Sequence, residues 1–252
     1  MSNIQPFFSQ HGEDARLAYI FRSKTVGTCL EVGAFDGVTD STTLHFEKRG
    51  WNCILVEAHP GLADKARANR KAVVFACAAG ENHGTADFLM VKGAEYLSTI
   101  DIGLSRHLHD SNFQIDKVAV PVMRVDEILQ AAKINSLDFV TIDVEGAELS
   151  VLRGFDLQRW KPRVVVVEDL SEGQDNSVRL YLESKGYRCF LSENPNDWYA
   201  SKDDVELVTF PAKIAQTWRR IRKKLGRFAY RLLPISARPT LVRWKRRLLG
   251  KI

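Results

Sequence analysis

Acidic residues that follow apolar runs are the first candidates for chemistry in this chain. Residues 28–37 change from an apolar run into a loop that contains Gly33 and Gly37, and glycine lets a backbone turn sharply and approach a ligand closely. The next apolar run, residues 52–57, ends in Glu57, 20 residues after Gly37. In a βαβ nucleotide-binding fold, an acid at about this spacing accepts hydrogen bonds from ribose hydroxyls.

The charges of this loop favour a cationic ligand. A dinucleotide loop uses three glycines to seat a pyrophosphate on a helix N-terminus, but here Phe35 occupies the middle glycine position, and Glu31 and Asp36 add negative charge. Acids repel a pyrophosphate, whereas they suit a ligand that carries an ammonium, a sulfonium and a ribose. The loop therefore favours S-adenosylmethionine over NAD.

Two later apolar runs also end in acids. Asp143 and Glu145 follow one run, and Glu168 ends the other. Because parallel strands present their carboxyl ends at one edge of a sheet, we expect the three acids to converge beside the ligand; the alternative is that one of them only caps a helix. Such carboxylates bind a divalent cation or share a proton so that one acts as a base. A metal is compatible with these acids but is not expected.

The elements that position these acids alternate between strands and helices, which predicts an α/β fold with a mostly parallel sheet covered by helices on both faces. The predicted strands are residues 28–32, 52–57, 72–78, 85–91, 118–125, 137–142, 163–168, 187–191 and 205–210, the last two joined by a turn at 194–196. The predicted helices are residues 15–22, 42–48, 60–70, 126–133, 149–153 and 176–185, with Asp126 as the cap of the fourth. Residues 92–116 are a long connection, either a lid or disordered, and contain His107 and His109.

Length and composition indicate one catalytic domain, residues 1–210, in a chain of 252 residues that is 45% hydrophobic. Four separated cysteines without a Cys-x-x-Cys pair are expected to be reduced core thiols. The beginning of the chain shows no secretory leader, and no apolar run approaches the length of a membrane span. We therefore expect a cytoplasmic protein.

The segment 211–252 differs from the rest because it has 14 Lys or Arg residues and no acid, which leaves residues 1–210 with a net charge of −9. Apolar residues spaced three and four apart predict an amphipathic helical tail with one apolar stripe among the cations. This pattern favours the surface of an anionic membrane, on the cytoplasmic face. The alternatives are packing on the body or on another subunit, and RNA binding; nucleic acid is not the expected partner, and the sequence predicts no oligomeric state.

Several of these motifs resemble the FkbM family of S-adenosylmethionine-dependent methyltransferases. They are Leu-Glu-Val-Gly-Ala-Phe-Asp-Gly at 30–37, Val-Glu at 56–57 and Ile-Asp-Val-Glu-Gly-Ala-Glu at 142–148, and the stretches at 9–14 and 125–128 resemble the family too. Together they cover about residues 9–210. The resemblance implies a Rossmann-like class I methyltransferase fold, with six parallel strands and one antiparallel strand. Phe35 departs from the general Gly-x-Gly-x-Gly pattern, but a non-glycine there is usual in this family.

The resemblance also implies roles for individual residues. Glu31, Gly33 and Gly37 would hold the amino acid part of the cofactor, Glu57 would hold its ribose, and Asp143 would lie near the transferred methyl group. The full set of predicted cofactor-binding residues is Glu31, Gly33, Ala34, Phe35, Asp36, Gly37, Glu57 and Asp143. Asp143, Glu145 and His11 are all candidates for the general base. The segment that contains His11, residues 9–14, either caps the first helix or lies over the ligand.

The implied reaction is methyl transfer to a hydroxyl. We expect the acceptor to be a sugar in a glycan or in a lipid-linked saccharide at the membrane surface. The alternatives are a small secondary metabolite or a lipid as the acceptor, or a nucleic-acid-binding protein that works through its basic tail.

Overall fold

A computed structural model describes residues 6–100, 113–169, 171, 174–193 and 195–208. The chain divides into two units, Met1–Val208 and Thr209–Ile252. Several predictions concern residues outside these described ranges. They are the amphipathic tail, the last two residues of the strand predicted at 205–210, and His107 and His109. Among the described helices, none combines the length and the apolar character that crossing a membrane requires.

The strands in the described part of the chain form two sheets. In chain order they are β1 Thr28–Val32, β2 Asn52–Glu57, β3 Val73–Ala76, β4 Ala78–Ala79, β5 Gly84–Val91, β6 Ile115–Met123, β7 Phe139–Ile142, β8 Val164–Glu168, β9 Tyr187–Glu193 and β10 Asn196–Ser201. The main sheet has seven strands in the order β3-β2-β1-β7-β8-β10-β9. Six of them run in one direction, and β10 runs against both of its neighbours. The implied arrangement of six parallel strands and one antiparallel strand is confirmed.

Helices cover both faces of this sheet. They are α1 Glu13–Ile20, α2 Leu44–Lys48, α3 Pro60–Asn69, α4 Val125–Ala131, α5 Glu148–Arg153, α6 Leu157–Trp160 and α7 Ser177–Ser184. Alternate residues of a strand point to opposite faces, so Leu30 of β1 packs with α4, α5 and α7, whereas its neighbour Cys29 packs with α1 and α2. Both faces are therefore apolar, as a parallel sheet requires. All four cysteines are buried free thiols, as predicted.

The second sheet, in the order β4-β6-β5, consists mainly of the long antiparallel pair β5 and β6. The predicted strand at 85–91 is confirmed as β5. A 3-10 turn, Glu95–Leu97, follows β5, and Thr99 then pairs with Leu89 of the same strand. The connection at 92–116 is therefore partly structured at both ends, because β6 already begins at Ile115.

Two local predictions are wrong. The second closing strand is β10 at 196–201 rather than residues 205–210; the described residues 205–208 form a turn, in which Val205 is 81% exposed. Asp126 does not cap α4, because Arg124 is the N-cap and the Glu127 carboxylate accepts the Arg124 N–H at 3.0 Å. Asp126 instead accepts the indole N–H of Trp160 at 2.9 Å.

Candidate active site

A cavity of about 630 Å³ lies at the carboxyl ends of β1, β2, β7 and β8. This volume is in the usual range for a small-molecule site, and open α/β sheets bind their ligands at this edge. The segment before α1 and residues 95–100 after β5 complete the wall. The fold therefore brings the predicted acidic strand ends to one cavity.

The cavity wall is strongly acidic. Among its described residues there are eight acids and no lysine or arginine, the acids being Glu13, Glu31, Asp40, Glu57, Glu95, Asp143, Glu145 and Glu168. A concave surface with one sign of charge concentrates the field and attracts ligands of the opposite charge. The cavity thus favours a cationic ligand and disfavours a pyrophosphate.

At Gly33 the turn after β1 lies directly against the backbone that follows β7. Its φ is +87°, and a Cβ built on it would lie 1.7 Å from the Asp143 carbonyl oxygen. Its N–H donates to the Val56 carbonyl at 2.9 Å, and that of Ala34 donates to the same oxygen at 3.1 Å. Only glycine fits here, and both Gly33 and Ala34 line the cavity.

Glu57 is held by the loop it faces. Its carboxylate accepts the N–H of Phe35 and the N–H of His59, each at 2.8 Å. Phe35, which also lines the cavity, adopts a left-handed φ of +50°. Burial raises the pKa of Glu57 to about 7, against the lowering effect of these hydrogen bonds. Each carboxylate oxygen has two acceptor sites, so Glu57 keeps acceptor capacity for a ligand.

Glu31 is buried, and its carboxylate holds residues 41–43. It accepts the hydroxyl of Ser41 at 2.9 Å, the N–H of Thr42 at 2.7 Å, and the hydroxyl of Thr43. Burial raises the pKa of Glu31, which the Thr43 hydrogen bond and the Arg70 charge oppose. Glu31 therefore lines the cavity with most of its hydrogen-bonding capacity used within the protein.

Asp36 and Gly37 hold the loop through hydrogen bonds within the protein. The Asp36 carboxylate accepts the N–H groups of Val38 at 2.9 Å and Thr39 at 2.7 Å, and the Gly37 carbonyl accepts Arg70 at 2.7 Å. The cavity wall contains neither Asp36 nor Gly37. The structure thus places these two predicted residues in the support of the loop.

Asp143, Glu145 and Glu168 converge, as predicted. The pairing of Ile142 with Val167 brings the next residues of the two strands, Asp143 and Glu168, side by side. Carboxylate oxygens of all three acids lie within 4.8 Å of one another. Glu145 adopts a left-handed φ of +52°, and its carbonyl accepts the hydroxyl of Thr99 at 2.8 Å. This hydrogen bond ties the acidic loop to the segment after β5.

Burial and neighbouring acids raise the pKa values of this cluster. Burial, followed by the Asp143 charge, raises the pKa of Glu168 to about 10 and that of Glu145 to about 7. Asp143 is exposed to the cavity, yet the surrounding protein displaces enough water to raise its pKa. Three such oxygens are also typical of a divalent-cation site. Acid clusters occur with and without an ion, so the cluster by itself assigns no metal.

The segment before α1 lies at the cavity, and its last residue, Gly12, is the N-cap of the helix without a side-chain cap hydrogen bond. His11 and Glu13 line the cavity, while the Asp14 carboxylate accepts the hydroxyl of Ser9 at 2.6 Å. Glu13 is buried, and it accepts the His11 N–H at 3.0 Å and the Asn196 side-chain N–H at 2.7 Å. Glu13 and Asn196 were not among the predicted site residues. Glu13 follows His11 by two residues, whereas no local signal marks Asn196, which reaches the site through the position of β10.

The family described as "Methyltransferase FkbM domain" matches residues 31–189. "Methyltransferase 1" of Beauveria bassiana (strain ARSEF 2860) is 36% identical over 100 residues, 38% of this chain and 39% of that protein. "Methyltransferase sdnD" of Sordaria araneosa is 30% identical over 103 residues, 37% of this chain and 38% of that protein. The match therefore spans less than two fifths of the length of each of these curated relatives.

A solved structure described as "METTL16 MTase domain (crystal form 2)" is similar at a TM-score of 0.40 and 14% identity, covering 75% of this chain and 68% of that one. The fold assignment does not depend on this similarity, because it rests on the strand order of the main sheet and on the family match. The family match includes the loop with Gly33 and Gly37, the acidic stretch at 142–148, and the strand ends that form the cavity. The chain has the Rossmann-like fold of class I methyltransferases, and it belongs to the FkbM family of S-adenosylmethionine-dependent methyltransferases.

Proposed function

We propose that this protein transfers a methyl group from S-adenosylmethionine to a sugar hydroxyl in a glycan or a lipid-linked saccharide at a membrane surface. The cofactor assignment rests on the cavity of a chain that belongs to a methyltransferase family. The described residues that line this cavity include eight acids and no lysine or arginine. The sugar acceptor rests on the family resemblance of the motifs. A small secondary metabolite or a lipid is the alternative acceptor.

The residues present fit the cofactor. Glu57 has acceptor capacity for two ribose hydroxyls, while Gly33 and Ala34 present backbone that a ligand can approach closely. The acidic wall favours the ammonium and the sulfonium. When bound, S-adenosylmethionine supplies an electrophilic methyl group on a sulfonium. NAD, with its pyrophosphate, fits the same wall poorly.

We assign the general base to Asp143, with Glu145 and His11 as the other candidates. Asp143 is exposed to the cavity, and one of its carboxylate oxygens lies within 4.8 Å of one of Glu168. A sugar hydroxyl is a poor nucleophile, so a base within hydrogen-bonding reach must accept its proton as the oxygen attacks. The other task of the chain is to orient the acceptor for in-line attack, which the cavity walls perform by restricting its pose.

Residues 211–252 supply the proposed membrane contact. Their 14 cations and absence of acids suit an anionic surface, to which each cation near the surface adds on the order of 1 kcal/mol. Co-sedimentation with phosphatidylcholine vesicles, with and without phosphatidylserine, tests this contact at physiological salt. Binding that requires phosphatidylserine and the tail supports it. Retention on RNA without vesicle binding would support the nucleic-acid alternative.

Calorimetric titration with S-adenosylmethionine, with S-adenosylhomocysteine and with NAD tests the cofactor assignment. We expect micromolar binding of the first two and none of NAD; the reverse pattern would refute the assignment. Transfer of a radiolabelled methyl group to panels of saccharides, secondary metabolites and lipids then tests the acceptor. Mass and NMR analysis of the product identifies the methylated atom, and methylation at nitrogen or carbon would contradict O-methyl transfer.

A further inference from the structure

Asp143 and Glu168 form a carboxyl pair that the sheet itself imposes. β7 and β8 pair in parallel up to Ile142 and Val167, so the next residue of each strand carries its acid to the same place. Carboxylate oxygens of Asp143, Glu145 and Glu168 lie within 4.8 Å of one another, so the two carboxyl groups of the pair are close neighbours. Two carboxyl groups that share a site in this way resist ionising together, so one of them holds a proton.

The surroundings of the pair reinforce this protonation. His11 faces it from the segment before α1 and Glu13 from the first residue of α1. Glu57 faces it from β2, Glu145 from the loop after β7 and Glu148 from α5. Of these five groups, only His11 can carry a positive charge. The Glu168 Oε2 atom is buried and, among the described residues, has no hydrogen-bond partner. If Glu168 ionises, its Oε2 atom therefore has no hydrogen bond within the described residues, and four of the five surrounding groups are acids.

We propose that Asp143 and Glu168 hold one proton between them in the free protein and release it when S-adenosylmethionine binds. This inference rests on the proposed function. A positive charge close to a carboxyl group favours its ionised form by about 1–3 pKa units. S-adenosylhomocysteine differs from the donor in lacking the sulfonium charge, so the pair keeps its proton when this product binds.

The proton balance is complete. On binding, one proton leaves the pair for solvent. In turnover, the O–H bond of the acceptor breaks, its oxygen bonds to the methyl carbon, the C–S bond breaks with its electrons left on sulfur, and the pair takes up the acceptor proton. Glu168 thereby acts as a positioning residue that holds the proton of the base. Asp143 is fully ionised only while the methyl donor is present.

Calorimetry of the full chain, dialysed against EDTA, measures the released proton directly. Each ligand is titrated in phosphate and in Tris buffer at pH values between 6.5 and 9, because the difference in observed heat scales with the number of protons that the buffer takes up. We expect S-adenosylmethionine to release up to about one proton per site, with the release increasing towards the alkaline end of the range. S-adenosylhomocysteine should release close to none.

Two variants make the test specific. Glu168→Gln keeps the size of the side chain but removes its ionisation, so it should bind S-adenosylmethionine without the proton release. Glu81→Gln is the matched control, because Glu81 is exposed and lies outside the cavity wall, paired with Arg153. It should release as many protons as the natural sequence, and circular dichroism confirms that both variants fold.

Equal proton release for the two ligands, or undiminished release in Glu168→Gln, would overturn the shared-proton assignment while leaving the methyltransferase intact. Absence of binding by both ligands would instead refute the proposed function itself, and this inference with it. The two failures are therefore distinguishable in one set of titrations.

Discussion

Replacement of Gly33 by alanine tests whether the close approach of β1 and β7 builds the site. The added Cβ would lie 1.7 Å from the Asp143 carbonyl oxygen, less than half an ordinary van der Waals separation. The neighbouring atom is backbone, so no side chain can rotate away. The turn after β1 or the end of β7 must move instead. The shift must be more than about 1 Å to restore a normal contact distance.

Two costs add at this position. Alanine in the left-handed region costs about 1–2 kcal/mol, and overpacking against backbone costs typically about 1–3 kcal/mol more. Gly50→Ala is the matched control, because Gly50 has nearly the same φ, +86°, and nothing within 4 Å of its built Cβ. Gly33→Ala should therefore destabilise by about 2–5 kcal/mol and Gly50→Ala by about 1–2 kcal/mol.

Urea unfolding followed by tryptophan fluorescence measures both losses, and calorimetry at a temperature where both variants remain folded measures S-adenosylmethionine binding. Gly33→Ala should also weaken that binding, because the collision displaces Asp143 from the cavity wall, whereas Gly50→Ala should leave it unchanged. Equal losses of unfolding free energy in the two variants would refute the reasoning. They would show that the turn relaxes without resistance and that only backbone strain matters.

Three further outcomes are expected. Glu57→Ala should weaken S-adenosylmethionine binding by about 1–3 kcal/mol, and unchanged affinity in calorimetry would place the ribose elsewhere. Asp143→Asn should lower turnover in the radiolabel assay by about 10²–10⁴-fold; retention of full turnover would assign the base to another residue. The free energy of unfolding of the ligand-free protein should fall from pH 6 to pH 9. Burial raises the pKa values of Glu57 and Glu145 from 4.5 to about 7 and that of Glu168 to about 10, so the folded state binds more protons than the unfolded state across this range. Urea midpoints that stay constant or rise with pH would contradict this sign.

The strand ends were predictable from the sequence because buried apolar residues are followed there, within one or two residues, by an acid. An apolar run predicts a buried parallel strand, and the acid that follows must lie at its carboxyl end. This reasoning needs no tertiary information for Glu57, Asp143 or Glu168. It could not separate the acids that face the cavity from Asp36, whose carboxylate turns back to the N–H groups of its own loop.

The wrong closing strand has a physical cause. β10 begins directly after Pro195 with Asn196 and Asp197, which are typical of a turn, and the apolar residues around Val205 imitate a strand. In the structure Trp198 packs on one face of the sheet and Tyr199 on the other. Asp197 is buried as well. Sheet pairing with β8 and β9 thus overrides the local preference, and no local pattern announces that choice.

The same pairing explains why part of the site was invisible. Asn196 is 183 residues from Glu13, and its side chain reaches the cavity only because β10 inserts between β8 and β9. Of the acids around the Asp143–Glu168 pair, Glu57 and Glu148 accept backbone N–H groups, whereas the buried Oε2 atom of Glu168 has no hydrogen-bond partner among the described residues. Burial raises the pKa of all three acids, and backbone hydrogen bonds oppose that rise only for Glu57 and Glu148. Ionisation of these acids opposes folding, so a cation bound in the cavity relieves a repulsion that the free protein must otherwise suppress with protons. A bound cation and a bound proton therefore each neutralise the same acidic cluster. Binding of the cofactor is thereby coupled to the protonation of the general base, Asp143.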